Sequence, residues 1–214
     1  MMNVSLKSIC VVLAAVAAAS LPSVGRAGSL TTTYVSNNLQ DGNMFDVETG
    51  GSALSVTSLG LNLQPGVYTI NVYEKSGTWV GYESTPGAWT LVTTIANVNS
   101  VAADAPTTVA VSGLTLAASS VTGLYITMTG GQGMRYTDGT MVGDPAAINS
   151  DLTIYQGAGV HYPFDGIFTP RTWNGTITYD VITPAVPEPS SAVLAGLAGA
   201  VGLAAARLRK RRAA

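Results

Sequence analysis

His161 is the only histidine of the 214-residue chain, so any histidine-dependent chemistry would have to use it. A Ser-His-Asp triad would also need a poised serine, and the sequence has no Gly-x-Ser-x-Gly elbow. A zinc site would need carboxylates or amides as its other ligands, because the single cysteine, Cys10, lies in the N-terminal apolar run. Between Val160 and Tyr162, His161 is expected to be a hydrogen-bonded loop or edge residue. We therefore assign no catalytic residue, no metal ligand and no cofactor.

Acidic side chains offer two other possibilities. Asp46 and Glu48 would share one face of an extended segment, and a second group lies in a Gly-rich stretch. Hard oxygen ligands of this kind could hold Ca²⁺, but neither the EF-hand spacing nor a calcium-binding nonapeptide repeat is present. Asx turns are the simpler explanation, and no spacing identifies the facing carboxylates of a glycosidase. The second group consists of Asp138, Asp144, Asn149 and Asp151.

Aromatic side chains are the candidates for stacking on sugar rings. Trp89 begins an alternating segment and is expected to be in the core. Trp79 and Trp173 lie next to turn sequences, so these two are the predicted glycan-stacking residues, although core packing explains them equally well. The full set of candidates is Trp79, Tyr82, Trp89, Tyr162 and Trp173.

The elements that would position these residues are strands. Apolar and polar residues alternate from residue 52 onwards, and residues 67–73 give the clearest strand signal. A change of phase near Ser58 predicts a β-bulge, and the turn at Gln64-Pro65-Gly66 suggests a hairpin between residues 54–63 and 67–73. Further strands are predicted at 78–82, 89–95, 107–111, 123–129, 152–155 and 176–182.

This pattern predicts an all-β fold. Short strands recur with turn residues between them, and no stretch of the body has a sustained helical period. We expect a single antiparallel β-sandwich, jelly-roll-like, with a barrel as the alternative. A signal helix and a transmembrane helix would flank this domain.

The N-terminus has the features of a secretory signal. Lys7 precedes an apolar run at residues 9–19, and Gly25-Arg26-Ala27 places small residues where signal peptidase reads them. We predict a signal peptide at 1–27, with cleavage after Ala19 as the alternative. The body, residues 28–185, then contains no cysteine and can form no disulfide.

The C-terminus combines three unlike pieces. Prolines at 187 and 189 favour an extended, accessible segment at 186–191. The uncharged run at 192–206 spans about 22 Å as a helix, and flanking serines and snorkelling arginines bring it near the roughly 30 Å of a bilayer core. We predict a transmembrane helix at 190–206, whose basic end at 207–212 stays in the cytoplasm.

This tail, residues 186–214, resembles the PEP-CTERM sorting signal of Gram-negative bacteria. The resemblance implies recognition and cleavage by an exosortase, a membrane cysteine transpeptidase, and an association with exopolysaccharide and biofilm. Ser191 is a departure, since Thr or Ala often follows there in the family. The alternative is an ordinary membrane anchor that a chance Pro-Glu-Pro precedes. The matching motif is Val186, Pro187, Glu188, Pro189 and Ser190.

The body resembles a β-sandwich module of other secreted bacterial proteins, a module of unsettled activity. The resemblance rests on residues 42–47, 81–83, 88–91 and 162–175. It supports one domain and implies nothing about chemistry.

Charge restricts the partners of the body. Its three basic residues stand against eleven acidic ones, which leaves residues 28–185 near −8. Such a charge argues against nucleic acid or anionic lipid and is compatible with neutral sugars. We expect a non-enzymatic, exported protein, anchored in the inner membrane before processing and then at the cell surface or in the matrix, with extracellular polysaccharide as its partner. The alternatives are a carbohydrate-active hydrolase or lyase, and a purely structural or adhesive module.

Overall fold

The part of the chain that the structure describes contains fifteen β-strands, as its alternation of apolar and polar residues predicts. The computed structural model describes residues 23–183 and Gly196. Residues 23–183 make one unit, in which the only helical element is a single 3₁₀ turn at Pro86–Ala88. The strands are β1 Ser23–Thr31, β2 Asn38–Gln40, β3 Gly42–Thr49, β4 Ala53–Asn62, β5 Gly66–Ser76, β6 Thr90–Ser100, β7 Pro106–Ala110, β8 Thr115–Leu116, β9 Val121–Thr129, β10 Met134–Asp138, β11 Pro145–Ile148, β12 Leu152–Tyr155, β13 Gly157–His161, β14 Asp165–Trp173 and β15 Gly175–Thr183.

The strands form two antiparallel sheets. In the five-stranded sheet the order is β1-β15-β4-β7, with β8 also on β4. In the ten-stranded sheet the order is β2-β10-β14-β13-β3-β9-β5-β6, with β12 on β3 and β11 on β12. The main core takes apolar side chains from both sheets, among them Leu59 and Tyr179 from one and Ile70 and Ile126 from the other. This arrangement confirms the prediction of an all-β, sandwich-like fold.

A second apolar cluster covers the opposite face of the ten-stranded sheet. Successive side chains of a strand point to opposite faces, and on β3 the residue Phe45 joins the main core whereas its neighbour Met44 joins the second cluster. Tyr125 of β9 and the loop residues Trp79 and Trp89 belong to the second cluster as well. The ten-stranded sheet is therefore apolar over part of both faces.

Two of the sequence expectations about β4 and β5 have opposite outcomes. The bulge near Ser58 is confirmed, because the register of β4 against β15 shifts between Ser58 and Val56. The hairpin between β4 and β5 is wrong, because β4 belongs to the five-stranded sheet and β5 to the ten-stranded one. The chain crosses from sheet to sheet at residues 64–66, so that both strands can bury apolar side chains in the shared core.

The predicted strand at 78–82 is also wrong. Residues 77–89 form a loop, with Gly77 at φ 75° and Gly81 at φ 85°. The amide of Tyr82 donates to the carbonyl of Trp79 in a tight turn at 3.0 Å. Positive φ angles at the two glycines are incompatible with a regular strand.

Both predicted targeting ends lie outside the described residues, apart from the last part of the signal peptide. The sorting motif at 186–191, the basic end at 207–212 and the transmembrane helix at 190–206, except for Gly196, fall in this category. In the described part of the chain, no helix has the length and apolar character needed to cross a membrane.

Candidate functional site

Both predicted glycan-stacking residues are buried. Trp173, at the end of β14, is 1% exposed and stacks on Phe45 with ring centroids 4.8 Å apart and planes at 14°. Trp79 is 2% exposed and packs in the second apolar cluster. Neither indole offers a ring face to solvent, so a sugar could stack on neither of them in this conformation.

Asp46 explains why Trp79 is covered. Its carboxylate accepts hydrogen bonds from the Thr78 hydroxyl at 2.6 Å and from the Trp79 amide at 2.9 Å. Burial raises the pKa of Asp46, and these two hydrogen bonds oppose that effect. Trp89 closes the same loop, since its Nε1 donates to the carbonyl of Tyr82 at 3.0 Å. The loop at 77–89 is thus fastened to the ten-stranded sheet by Asp46 of β3 and closed by its own hydrogen bond from Trp89 to Tyr82.

Aromatic rings nevertheless reach the surface beside this loop. Tyr73 of β5 lies 5.6 Å from the ring of Tyr125 and 5.4 Å from that of Phe164, and Phe164 lies 5.0 Å from Tyr125. Tyr125 is fully buried, Tyr73 and Phe164 are half-buried, and Tyr162 is 40% exposed. We call these four residues, together with Trp89, the aromatic face.

Tyr162 is the most accessible member of the aromatic face. It lies close enough to Tyr73 to act on it electrostatically. The pKa of the Tyr73 phenol is raised mainly by burial and secondly by the neighbouring Tyr162. Leu91, which pairs with Tyr73 across β5 and β6, is 49% exposed on the same side. The result is a partly open aromatic and apolar surface, of the kind on which the faces of sugar rings can stack.

His161 precedes Tyr162 of the aromatic face in the chain, and the Asp41 carboxylate contacts both residues. The Nδ1 of His161 lies 3.3 Å from the Asp41 carboxylate and its Nε2 lies 3.2 Å from the Gln40 side-chain amide. A neutral ring that donates from Nδ1 to Asp41 and accepts at Nε2 from Gln40 satisfies both contacts. The nitrogen that would take a proton from a nucleophile is then already occupied, and no serine lies within hydrogen-bond distance of the ring among the described residues.

The acidic residues of the Gly-rich stretch have separate partners. Asp138 lies 3.3 Å from Arg171, Asp144 accepts from Thr140, and Asp151 pairs with Arg26. Asn149 accepts from the amides of residues 151 and 152, both at 2.9 Å, which is an Asx turn. In residues 23–183, no three His, Cys, Asp or Glu side chains come together as a metal site would require.

Asp46 and Glu48, the first acidic pair, also have separate partners. Asp46 holds the loop at 77–89, whereas Glu48 accepts a hydrogen bond from the Tyr155 hydroxyl. Their side chains share one face of β3, as expected, but each has its own partner. Sequence reasoning found Tyr162 as a stacking candidate and missed Tyr73 and Phe164, whose association depends on the pairing of β3, β5 and β9.

Comparison of the chain with protein-family models, curated proteins and solved structures finds no match.

Proposed function

We propose that this chain is an exported cell-surface or extracellular-matrix protein that is sorted through its C-terminal tail and associates with exopolysaccharide or biofilm. The observation that carries the proposal is the order of the tail: the motif at 186–190, the apolar run and the basic end. In this proposal signal peptidase removes the N-terminal helix and the helix at 190–206 holds the protein in the inner membrane. An exosortase then cleaves near the motif.

The described body supports the polysaccharide part of the proposal. The aromatic face exposes Tyr162 beside half-buried Tyr73 and Phe164, and it lies on a domain whose sequence carries a strong negative charge. Stacking and hydrogen bonds, rather than ion pairs, would then hold a neutral glycan. As the finer fold assignment we propose a jelly-roll-like sandwich.

The proposal includes no enzymatic activity. Both ring nitrogens of His161 have partners, and the carboxylates of Asp46 and Glu48 are held by hydroxyl and amide donors rather than facing a common cleft. General acid–base catalysis needs a group that is free to exchange a proton with substrate. These contacts favour binding or structural work over hydrolysis.

The burial of Trp79 and Trp173 favours a purely structural or adhesive module as the second candidate. In that case the aromatic face would serve packing, and no secreted glycan would bind the body.

The test compares three full-length forms in a host that carries an exosortase. Replacement of Pro187, Glu188 and Pro189 by alanine should leave export intact and block tail removal, so that an uncut form accumulates in the inner membrane. Tyr162→Ala should be processed normally but should co-sediment less with the secreted polysaccharide than the parent does. Identical processing of the motif variant and the parent would refute sorting by the tail. Equal co-sedimentation of Tyr162→Ala and the parent would refute the role of the aromatic face.

A further inference from the structure

A polar groove lies at one end of the sandwich, where the two sheets meet. Its lining comes from β5, β6 and β9 of the ten-stranded sheet and from β8 and the following loop of the five-stranded sheet. Its volume is about 490 Å³, which is within the range of about 300–1,000 Å³ for small-molecule sites. Glu74 follows Tyr73 on β5 and, because side chains alternate, points away from the aromatic face. The groove therefore uses other side chains than the aromatic face, although the two surfaces adjoin at Ala88 of the loop at 77–89, which lines the groove and packs against the second apolar cluster.

The carboxylate of Glu74 is the central feature of the groove. It is half-buried, and among residues 23–183 it has neither a hydrogen-bond donor nor an ion-pair partner. Burial raises the pKa of Glu74, with no compensating contact. The partial desolvation of this carboxylate is not offset by any contact within residues 23–183. Such an arrangement is understandable when a ligand supplies the missing donors.

Several hydroxyl groups line the same groove as this carboxylate. Those of Ser76, Thr90, Thr115 and Thr122 line the groove, and none of them has a side-chain hydrogen bond within the described part of the chain. The groove thus presents two acceptor oxygens and four groups that can both donate and accept.

The charges at the groove select against ionic ligands. Lys75 also lines it, but its ammonium lies 3.9 Å from the centroid of the Tyr82 ring and donates to the Ser76 carbonyl at 2.9 Å. An anion would meet the Glu74 carboxylate without a free cation to balance it. A divalent cation usually binds to several charged oxygen ligands, whereas the groove offers one carboxylate and neutral hydroxyls.

We propose that this groove is a second saccharide-binding site, which takes a segment of a neutral sugar chain through its hydroxyl groups. Vicinal hydroxyls of the sugar donate to the two oxygens of Glu74, and the surrounding threonine and serine hydroxyls pair with the remaining ones. The site extends the proposed function, on which it rests for the class of ligand, but it uses different residues from the aromatic face.

The experiment titrates the ¹⁵N-labelled full-length chain in detergent micelles with maltohexaose, cellohexaose and laminarihexaose. At least one of these should shift the amide resonances of residues 74–76 and 115–122. Glu74→Gln should then weaken binding by about ten-fold or more, because a hydrogen bond to a charged group is worth that much. Thr122→Val, which removes one hydroxyl at similar shape, should weaken binding by a few fold. Asp180→Asn is the matched control, since it removes the same charge from β15, on the other sheet, and should leave affinity unchanged.

Each result bears on the groove separately from the proposed function. Glu74→Gln should melt at or above the temperature of the parent, because it removes a half-buried charge that has no partner in the described residues. A loss of binding is then not a loss of fold. The groove proposal is overturned if none of the three hexasaccharides shifts these resonances, or if Glu74→Gln and Thr122→Val bind as the parent does. If Tyr162→Ala abolishes co-sedimentation with polysaccharide while Glu74→Gln has no effect, the proposed function stands and the groove is not part of it.

Discussion

Replacement of Trp173 by alanine should lower the stability of the domain strongly, because the ring is part of the core and not a surface on which a sugar stacks. The ring is 1% exposed and stacks on Phe45 at 4.8 Å. Large-to-small changes at buried tryptophans cost about 3–5 kcal/mol. For a domain of this size each kcal/mol lowers the melting temperature by about 2–4 °C. We therefore expect Trp173→Ala to lower the melting temperature by about 6–20 °C.

Trp173→Phe separates packing from hydrogen bonding at the same position. The indole Nε1 is buried and has no partner, and Asn43 Oδ1 and Asn174 Nδ2 are likewise buried without one. Phenylalanine keeps a ring against Phe45 and removes the unsatisfied N–H, whose burial costs about 1–3 kcal/mol. We expect this variant to lose less than half of what Trp173→Ala loses.

Thermal unfolding of the full-length chain, followed by circular dichroism in the near ultraviolet, measures both effects. Tyr162→Ala is the control, because a change at a 40% exposed ring should move the melting temperature by no more than about 2 °C. The reasoning is refuted if Trp173→Ala melts within about 2 °C of the parent and yet loses affinity for polysaccharide. That result would place the ring at the surface.

Two further predictions concern the first strand. The sequence motif favours cleavage after Ala27, but β1 begins at Ser23, so that cleavage would remove the first five residues of the strand and the contact of Arg26 Nη2 with both carboxylate oxygens of Asp151, at 2.6 Å to each. We therefore expect mass spectrometry of the exported protein to find cleavage after Ala19; a mature terminus at Gly28 would contradict this. The second concerns Asp151: burial tends to raise its pKa, but the hydrogen bonds from Tyr179 and Arg26 lower it overall, so its contribution should be present above the ordinary aspartate pKa and lost as the pH falls through the lowered value. Asp151→Asn should therefore melt below the parent at pH 7 and converge with it towards pH 2, and a constant difference at every pH would count against the linkage.

The sequence contained enough information for the fold class and for one local irregularity. Strict alternation separated by turn residues is hard to satisfy with helices, so the all-β prediction followed from periodicity alone. The bulge at Ser58 was predictable because an extra residue shifts the phase of the apolar side chains of β4 from Val56 to Leu59. Such a shift can be read from the order of apolar and polar residues within one strand.

Which strand lies in which sheet was not predictable by the same reasoning. The turn at 64–66 would suit a hairpin, and only the partners of β4 and β5 decide that it links two sheets instead. Those partners, β15 and β9, lie more than forty residues further along the chain. Sequence periodicity describes one strand at a time and carries no information on such distant pairing.

The error about Trp79 and Trp173 has a related physical cause. Proximity to a turn suggested exposure, but the carboxylate of Asp46 draws the loop at 77–89 down onto the sheet and covers Trp79. Trp173 is the last residue of β14, and its side chain lies in the main core, where it stacks on Phe45. A ten-stranded sheet with apolar clusters on both faces can bury an aromatic residue on either side, so alternation alone cannot tell a core ring from a surface ring.

Two-sided burial also determines where a ligand can bind. The main core and the loop at 77–89 cover the tryptophans, so the accessible rings of residues 23–183 lie at the borders of this covering: Tyr162 beside Tyr73 and Phe164, Tyr82 on the loop itself, and Phe168 on β14. The polar groove lies at the end of the sandwich, where Glu74 has passed beyond the packed core and has no partner among the described residues. Both surfaces therefore arise at borders of the apolar clusters. A neutral glycan chain suits such borders, because each sugar has an apolar face for stacking and hydroxyl edges for hydrogen bonds, and the two surfaces supply these separately.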